Sequence, residues 1–298
     1  MRKFKGQLCL LAAAFIWGSA FIFQKMGMDH IGPFTFGVFR FGLGSLALLP
    51  VIFIISVVNK RRATPKQITP FRDRTLLMGA LLCGISNYTA GSLQQVGIVY
   101  TTAGKAGFIT SLDIVIVPIL LLFMRKKVSR TTWLGVAMAI VGLALLCLTD
   151  DLSLHLGDAL VMGCAVAYSF QILLIDHYAD KVDNLRLSCL MYMVAGILSG
   201  ITAVFTETIN VQSILDCAIP ILYVAILEVS VAFTLQIIGQ RYTPPAIATI
   251  IMSLESVFAV ICGTLFLHET MTGRELMGCI VMFAAFIISQ ISDFKKES

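Results

Sequence analysis

The chain has 298 residues, 58% of them hydrophobic and only 13% charged, with a mean hydropathy of +0.90 and a net charge of +5. Soluble domains carry about 25% charged residues, so the composition excludes a water-soluble globule. The apolar residues gather in runs of about 20, enough to cross a hydrocarbon layer of roughly 30 Å as a helix, and an all-α integral membrane fold follows, because a spanning backbone must satisfy its own hydrogen bonds.

The first run, MRKFKGQLCLLAAAFIWGSA, has the basic start and small-residue end of a secretory signal. Its apolar stretch continues through Phe21, Ile22 and Phe23 and further spans follow, so it reads as the first transmembrane helix. Hydropathy and charge breaks then place ten spans at residues 7–27, 34–58, 75–96, 102–124, 131–148, 156–176, 187–206, 215–239, 245–267 and 274–291. With a cytoplasmic N-terminus, most of the 22 basic residues fall on inner segments, from Arg2, Lys3 and Lys5 through Arg125, Lys126, Lys127 and Arg130 to Lys295 and Lys296. The loop TDDLSLHLGD between spans five and six is acidic and falls outside. Both termini are expected in the cytoplasm, with the protein in a plasma or inner membrane.

Eight cysteines are scattered, mostly within apolar runs and with no Cys-Xaa-Xaa-Cys pair, as expected of small core residues. His30, His155, His177 and His268 lie far apart near span ends, so no metal spacing emerges. GLGSLA (Gly42, Gly44, Ala47) imitates a dinucleotide fingerprint inside an apolar helix with no preceding strand. AGKAG around Lys105 imitates a phosphate loop but has Val99 at the first Gly position and Ala106 in place of Ser or Thr. No cofactor and no nucleic-acid partner is expected; monomer and homodimer stay open.

A repeat runs through the chain. LQQVGIVYTTA from Leu93 and LQIIGQRYTPP from Leu235 match at Leu93/Leu235, Gln94/Gln236, Gly97/Gly239, Tyr100/Tyr242 and Thr101/Thr243, an offset of 142. The same offset aligns Ser111-Leu112-Asp113 with Ser253-Leu254-Glu255. Five spans per copy is an odd number, so the second copy enters the membrane inverted. The expected halves are residues 1–149 and 150–298, with a small-molecule binding site near the midplane between them.

Charges at mid-membrane cost about 2.5–3.5 kcal/mol each on insertion scales, so Asp113, Glu228 and Glu255 either line an aqueous cavity and carry protons or fix helix packing. Arg40 either holds a substrate carboxylate, pairs with an acid or reaches outward; Lys105 is expected to reach the headgroups. Trp17 and Ser19, then Asn87, Tyr88 and Gln94, then Tyr168 and Gln171, and finally Tyr192, Ser230, Thr234 and Gln236 extend a polar wall. Each taken singly is an interhelical contact; together they describe a wet interior. Gly18, Ala20 and the Gly196/Gly200 pair are expected at close helix crossings.

WGSAF (17–21), the Arg of FRF (Arg40), TTAGKAGFITSL, SLESVFA and FLHETMTGRELMG together resemble the EamA-type ten-helix branch of the drug/metabolite transporter superfamily, over essentially the whole length. That resemblance implies two five-helix bundles about a central cavity, alternating access, and export or exchange of small metabolites such as amino acids. Ser256 stands where that family often has Pro, predicting a ninth span without a kink, and Asp113 stands where an aromatic residue is common, so no family role carries over to it. An importer, a cationic-drug exporter and a lipid-headgroup flippase are the alternatives within transport. An intramembrane enzyme using the acids as a dyad is the alternative outside it, opposed by the duplication and by the lack of a nucleophile or metal constellation.

Overall fold

Runs of Leu, Ile, Val, Phe and Ala with few interior breakers leave the backbone one economical conformation in lipid, the helix. The computed structural model describes residues 2–60, 69–101, 103–147, 156–266 and 272–294, and among these every regular element is helical. In chain order they are α1 (Arg2–Met28), α2 (Pro33–Lys60), α3 (Arg74–Tyr100), α4 (Ala103–Thr110), α5 (Asp113–Phe123), α6 (Arg130–Cys147) and α7 (Leu156–Tyr178). There follow α8 (Asn184–Thr206), α9 (Val211–Asp216), α10 (Ala218–Gln240), α11 (Pro245–Met252), α12 (Glu255–Phe266) and α13 (Gly273–Phe294). Six of them, α1, α2, α3, α7, α8 and α10, are long and apolar enough to cross a membrane.

Local chemistry sets the ends. Asp73 and Asp183 accept from the backbone N–H groups of Leu76 (2.9 Å) and Arg186 (3.0 Å), closing the starts of α3 and α8. The start of α2 is capped from another helix: the Glu207 carboxylate, just past α8, accepts from the N–H of Phe34 at 2.8 Å and of Thr35 at 2.7 Å. Arg125, at φ 58°, ends α5 in a left-handed turn, with the Lys126 N–H returning to the Leu121 carbonyl at 2.9 Å.

Spans four and nine, expected as continuous helices at 102–124 and 245–267, are each two helices. The breaks fall at Ser111–Leu112 and Ser253–Leu254, directly before the two acids. Across them the hydrogen bonds tighten to three-residue spacing, from Leu112 N–H to Ile109 O (3.1 Å) and from Leu254 N–H to Ile251 O (3.2 Å). Ser253 adds its hydroxyl to the Ile250 carbonyl at 2.9 Å, a local bond that competes with regular helix. The expectation of an unkinked ninth span is therefore corrected: the interruption lies upstream of Ser256 and needs no proline. Over Val224–Phe233, α10 widens into a π-helix, and the single Ser230 hydroxyl hydrogen is shared between Gly44 O at 2.8 Å and Ala225 O at 2.9 Å.

The helix contacts recur in corresponding pairs along the chain. α1 lies against α10 and against α11 and α12, while α7 lies against α3 and against α4 and α5. α2 runs along α8, and α6 along α13. The closest crossings repeat too. A Cβ on Gly97 would meet Val161 Cγ2 at 2.6 Å and Gly157 O at 3.1 Å, and one on Gly239 would meet Leu10 Cγ at 2.6 Å and Gly6 O at 2.8 Å. Gly97 and Gly239 are 142 apart (239 − 97), while Gly6/Gly157 and Leu10/Val161 are both 151 apart (157 − 6, 161 − 10). Gly18 lets α1 settle against α12, with a Cβ there only 2.8 Å from Ala259 N, and Gly196 brings α8 within 3.2 Å of the Gly42 backbone on the same terms.

Outside the bundle, Phe53, Val204, Phe205 and Ile219 are largely exposed, whereas Arg40, Asn87, Gln171 and Glu228 are buried. Such a reversal of the soluble pattern is what lipid demands. Cys83, Cys164, Cys189, Cys217 and Cys262 are free and buried, as small core residues are expected to be, and Cys279 is buried as well.

Candidate functional site

The interior chamber is built where the two helix breaks meet the long helices. It holds about 550 Å³ of space free of protein atoms, part of it open to the outside. Asp113 begins α5 and Glu255 begins α12, so the breaks deliver both carboxylates to it, with Ser111 and Ser253 beside them. Ser111 Oγ and Ser256 Oγ lie 3.3 Å apart, tying one break to the other.

The lining comes largely in equivalent pairs. Gln94 of α3 and Gln236 of α10 face it, as do Thr110 of α4 and Met252 of α11, each pair 142 apart (236 − 94, 252 − 110). From α1 and α7 come Trp17 with Tyr168 and Phe21 with Ile172, each pair 151 apart (168 − 17, 172 − 21). Gln24, Gln171, Glu228 and Phe233 complete the wall without such counterparts in it. Trp17 packs edge-on against Phe233 with ring centroids 5.0 Å apart, and its Nε1 has no hydrogen-bond partner among the described residues. Gln236 Oε1 is likewise unpartnered, whereas Gln94 Nε2 donates to Thr110 Oγ1 at 3.2 Å.

Charge on one side of the chamber is closed off. Arg40 of α2 forms a buried ion pair through Nη2 with Glu228 Oε1, both side chains 2% exposed. Gln24 Nε2 donates to the other oxygen of Glu228 at 3.0 Å, Arg40 Nη1 donates to Gln95 Oε1 at 3.4 Å, and Gln95 Nε2 reaches Gln24 O at 3.3 Å. The guanidinium also lies 4.9 Å from the Phe41 ring centre. Arg40 stands behind Glu228, outside the lining, and its charge goes to Glu228.

Of the other residues singled out by the sequence, Asn87 sits behind the wall, its Oδ1 accepting from Gln171 Nε2 at 2.8 Å. Tyr88 is turned to α8, its hydroxyl against that of Thr202, and Ser19 bonds the Tyr223 hydroxyl at 2.7 Å. The Lys105 side chain, the loop 148–155 and His268 lie outside the described residues. Sequence reading passed over Gln24 and Gln95. A glutamine inside an apolar run was the available signal for both.

A helical multi-pass membrane protein with a polar, acid-lined chamber at its centre is the class this geometry defines. Residues 4–148 and again 155–290 match the EamA-like transporter family, and the chain belongs to it. Over 292 residues it is 32% identical to an uncharacterised transporter of Archaeoglobus fulgidus, covering 97% of this chain and 86% of the relative. It is 23% identical to one of Methanothermobacter thermautotrophicus over 97% of this chain and 87% of the relative, and 24% identical to YetK, an uncharacterised transporter of Bacillus subtilis, over 98% and 88%. A solved crystal structure shares the fold at TM-score 0.76 and 14% identity, covering 98% of this chain and 99% of its own.

Proposed function

We propose that the chain is a secondary transporter, with no enzymatic activity, that exports a small polar metabolite by alternating access, driven by exchange or a proton gradient. Ten spans form two inverted five-helix repeats, 1–149 and 150–298, with both termini on the cytoplasmic side of a plasma or inner membrane. The observation that carries this reading is the chamber's paired lining, in which Trp17/Tyr168, Gln94/Gln236 and Asp113/Glu255 approach one space from equivalent helices. The glycine crossings support it: α3 meets α7 where α3 ends and α7 begins, and α10 meets α1 in the same way. With spans alternating in direction, these two contacts lie at opposite membrane faces, as rocking about a central site requires.

Asp113, Glu228, Glu255, Trp17, Gln94, Tyr168 and Gln236 are the proposed contacts, with Asp113 and Glu255 the proton carriers; Arg40 holds Glu228, and Asn87 and Tyr88 support the wall from behind. The test is a metabolite comparison of cells with and without the protein, followed by counterflow of the enriched compounds in proteoliposomes. A solute that crosses chemically unchanged and accumulates against a preloaded gradient is expected. Chemical conversion of the solute, or no protein-dependent flux of any enriched compound, would overturn the reading.

A further inference from the structure

The charge balance of the chamber points to the sign of its ligand. Among the described lining residues the ionisable groups are Asp113, Tyr168, Glu228 and Glu255, and none is basic. Arg40 and Glu228 cancel one another. Asp113 and Glu255 have no ion-pair partner among the described residues. A carboxylate-bearing substrate would thus meet two carboxylates and, among the described residues, no free cation. The rest of the wall combines the aromatic rings of Trp17, Phe21 and Phe233, beside Tyr168, with four glutamine amides, the hydroxyls of Thr110, Ser111 and Ser253, and the apolar Ile172 and Met252. Aromatic faces attract organic cations, and among the described residues no group of three or more His, Cys, Asp or Glu side chains is placed to hold a metal ion.

We propose that the chamber selects an organic ammonium ion with an apolar body and exchanges it for protons held on Asp113 and Glu255. The identification of the substrate class rests on the transporter reading for movement of the ligand, but not for its binding. Among the described residues, the charged and titratable groups around the two acids are each other, Tyr168 and Cys164 of α7, and the closed pair of Glu228 from α10 and Arg40 from α2. With that pair fixed, two negative charges remain to be balanced, and a proton or an ammonium balances each equally. Occupation by the amine therefore releases protons, and loss of the amine takes them up.

The test uses the full chain in nanodiscs. The sequence has two tryptophans, so Trp133→Phe leaves Trp17 as the reporter in the chamber wall. Phenethylamine, phenylalanine and 3-phenylpropionate share one body and differ in charge. Phenethylamine is expected to quench Trp17 saturably and to bind at least about tenfold tighter than the other two. Its Kd is expected to fall about tenfold per pH unit for each proton displaced. Asp113→Asn and Glu255→Gln should each weaken it about tenfold or more, and sodium should not compete. Equal or tighter binding of phenylalanine or phenylpropionate, displacement by sodium, or no binding of any of the three overturns the proposal, and this ranking needs no acid variant to fold. Counterflow separates the two readings. Movement of phenylalanine without the amine sinks the cation site and keeps the transporter, whereas an amine that binds but never moves does the reverse.

Discussion

Glu228→Gln isolates the buried pair. The substitution keeps the shape and a group for Gln24 Nε2 to reach, but leaves the Arg40 guanidinium, 2% exposed, facing an uncharged amide. Removing one partner of a buried pair costs about 3–5 kcal/mol, and Gln95 Oε1 at 3.4 Å compensates little of it. At about 2 °C per kcal/mol, the Tm should fall by about 6–10 °C. Arg40→Met alone should cost a similar amount, because Glu228 then keeps its charge with Gln24 as its remaining described partner. The double variant removes both charges and should return to within about 1–2 kcal/mol of the wild type, a coupling energy of about 4–9 kcal/mol. Detergent-solubilised protein melted with a thiol-reactive dye suits the measurement, since Cys83, Cys164 and Cys189 are free and buried. Additive losses in the double variant, or a Glu228→Gln protein as stable as the wild type, would refute the reasoning.

The glycine crossings should be equally intolerant: Gly97→Ala and Gly239→Ala each force a Cβ to within 2.6 Å of Val161 or Leu10 and should each cost about 1–3 kcal/mol in the same melt. Arg125→Gly should raise stability by about 1 kcal/mol, since only the turn that ends α5 requires its left-handed backbone. Glu207→Ala uncaps α2 and should lower stability by about 1–2 kcal/mol; an unchanged melt would mean that the two N–H groups find other partners.

Much of the site was legible because duplication writes itself into sequence. Ser-Leu-Asp and Ser-Leu-Glu, 142 residues apart, led directly to both acids of the chamber, and the Gln94/Gln236 match placed two of its amides. The Trp17/Tyr168 pairing was hidden by a different offset, 151, and by the unlike chemistry of the two side chains. The helix breaks were missed because Ser and Leu are ordinary helix residues, while prolines that look disruptive, Pro50 and Pro118, lie within uninterrupted α2 and α5. The destination of Arg40 was unreadable in principle. Its partner is 188 residues away, and three acids were available to choose from.

At the offset that relates α3 to α10, Glu228 corresponds to Ser86 and Gln95 to Ile237 (228 − 86 = 237 − 95 = 142), so the ionic knot around Arg40 exists once. The duplicated halves are alike in outline and unlike in energy. On the alternating-access reading proposed above, a bias of about 1.4 kcal/mol between the two facing states would already park ten molecules on one side for each on the other. In the proposed transporter, this one unmatched ion pair is where the two access states can come to differ in energy.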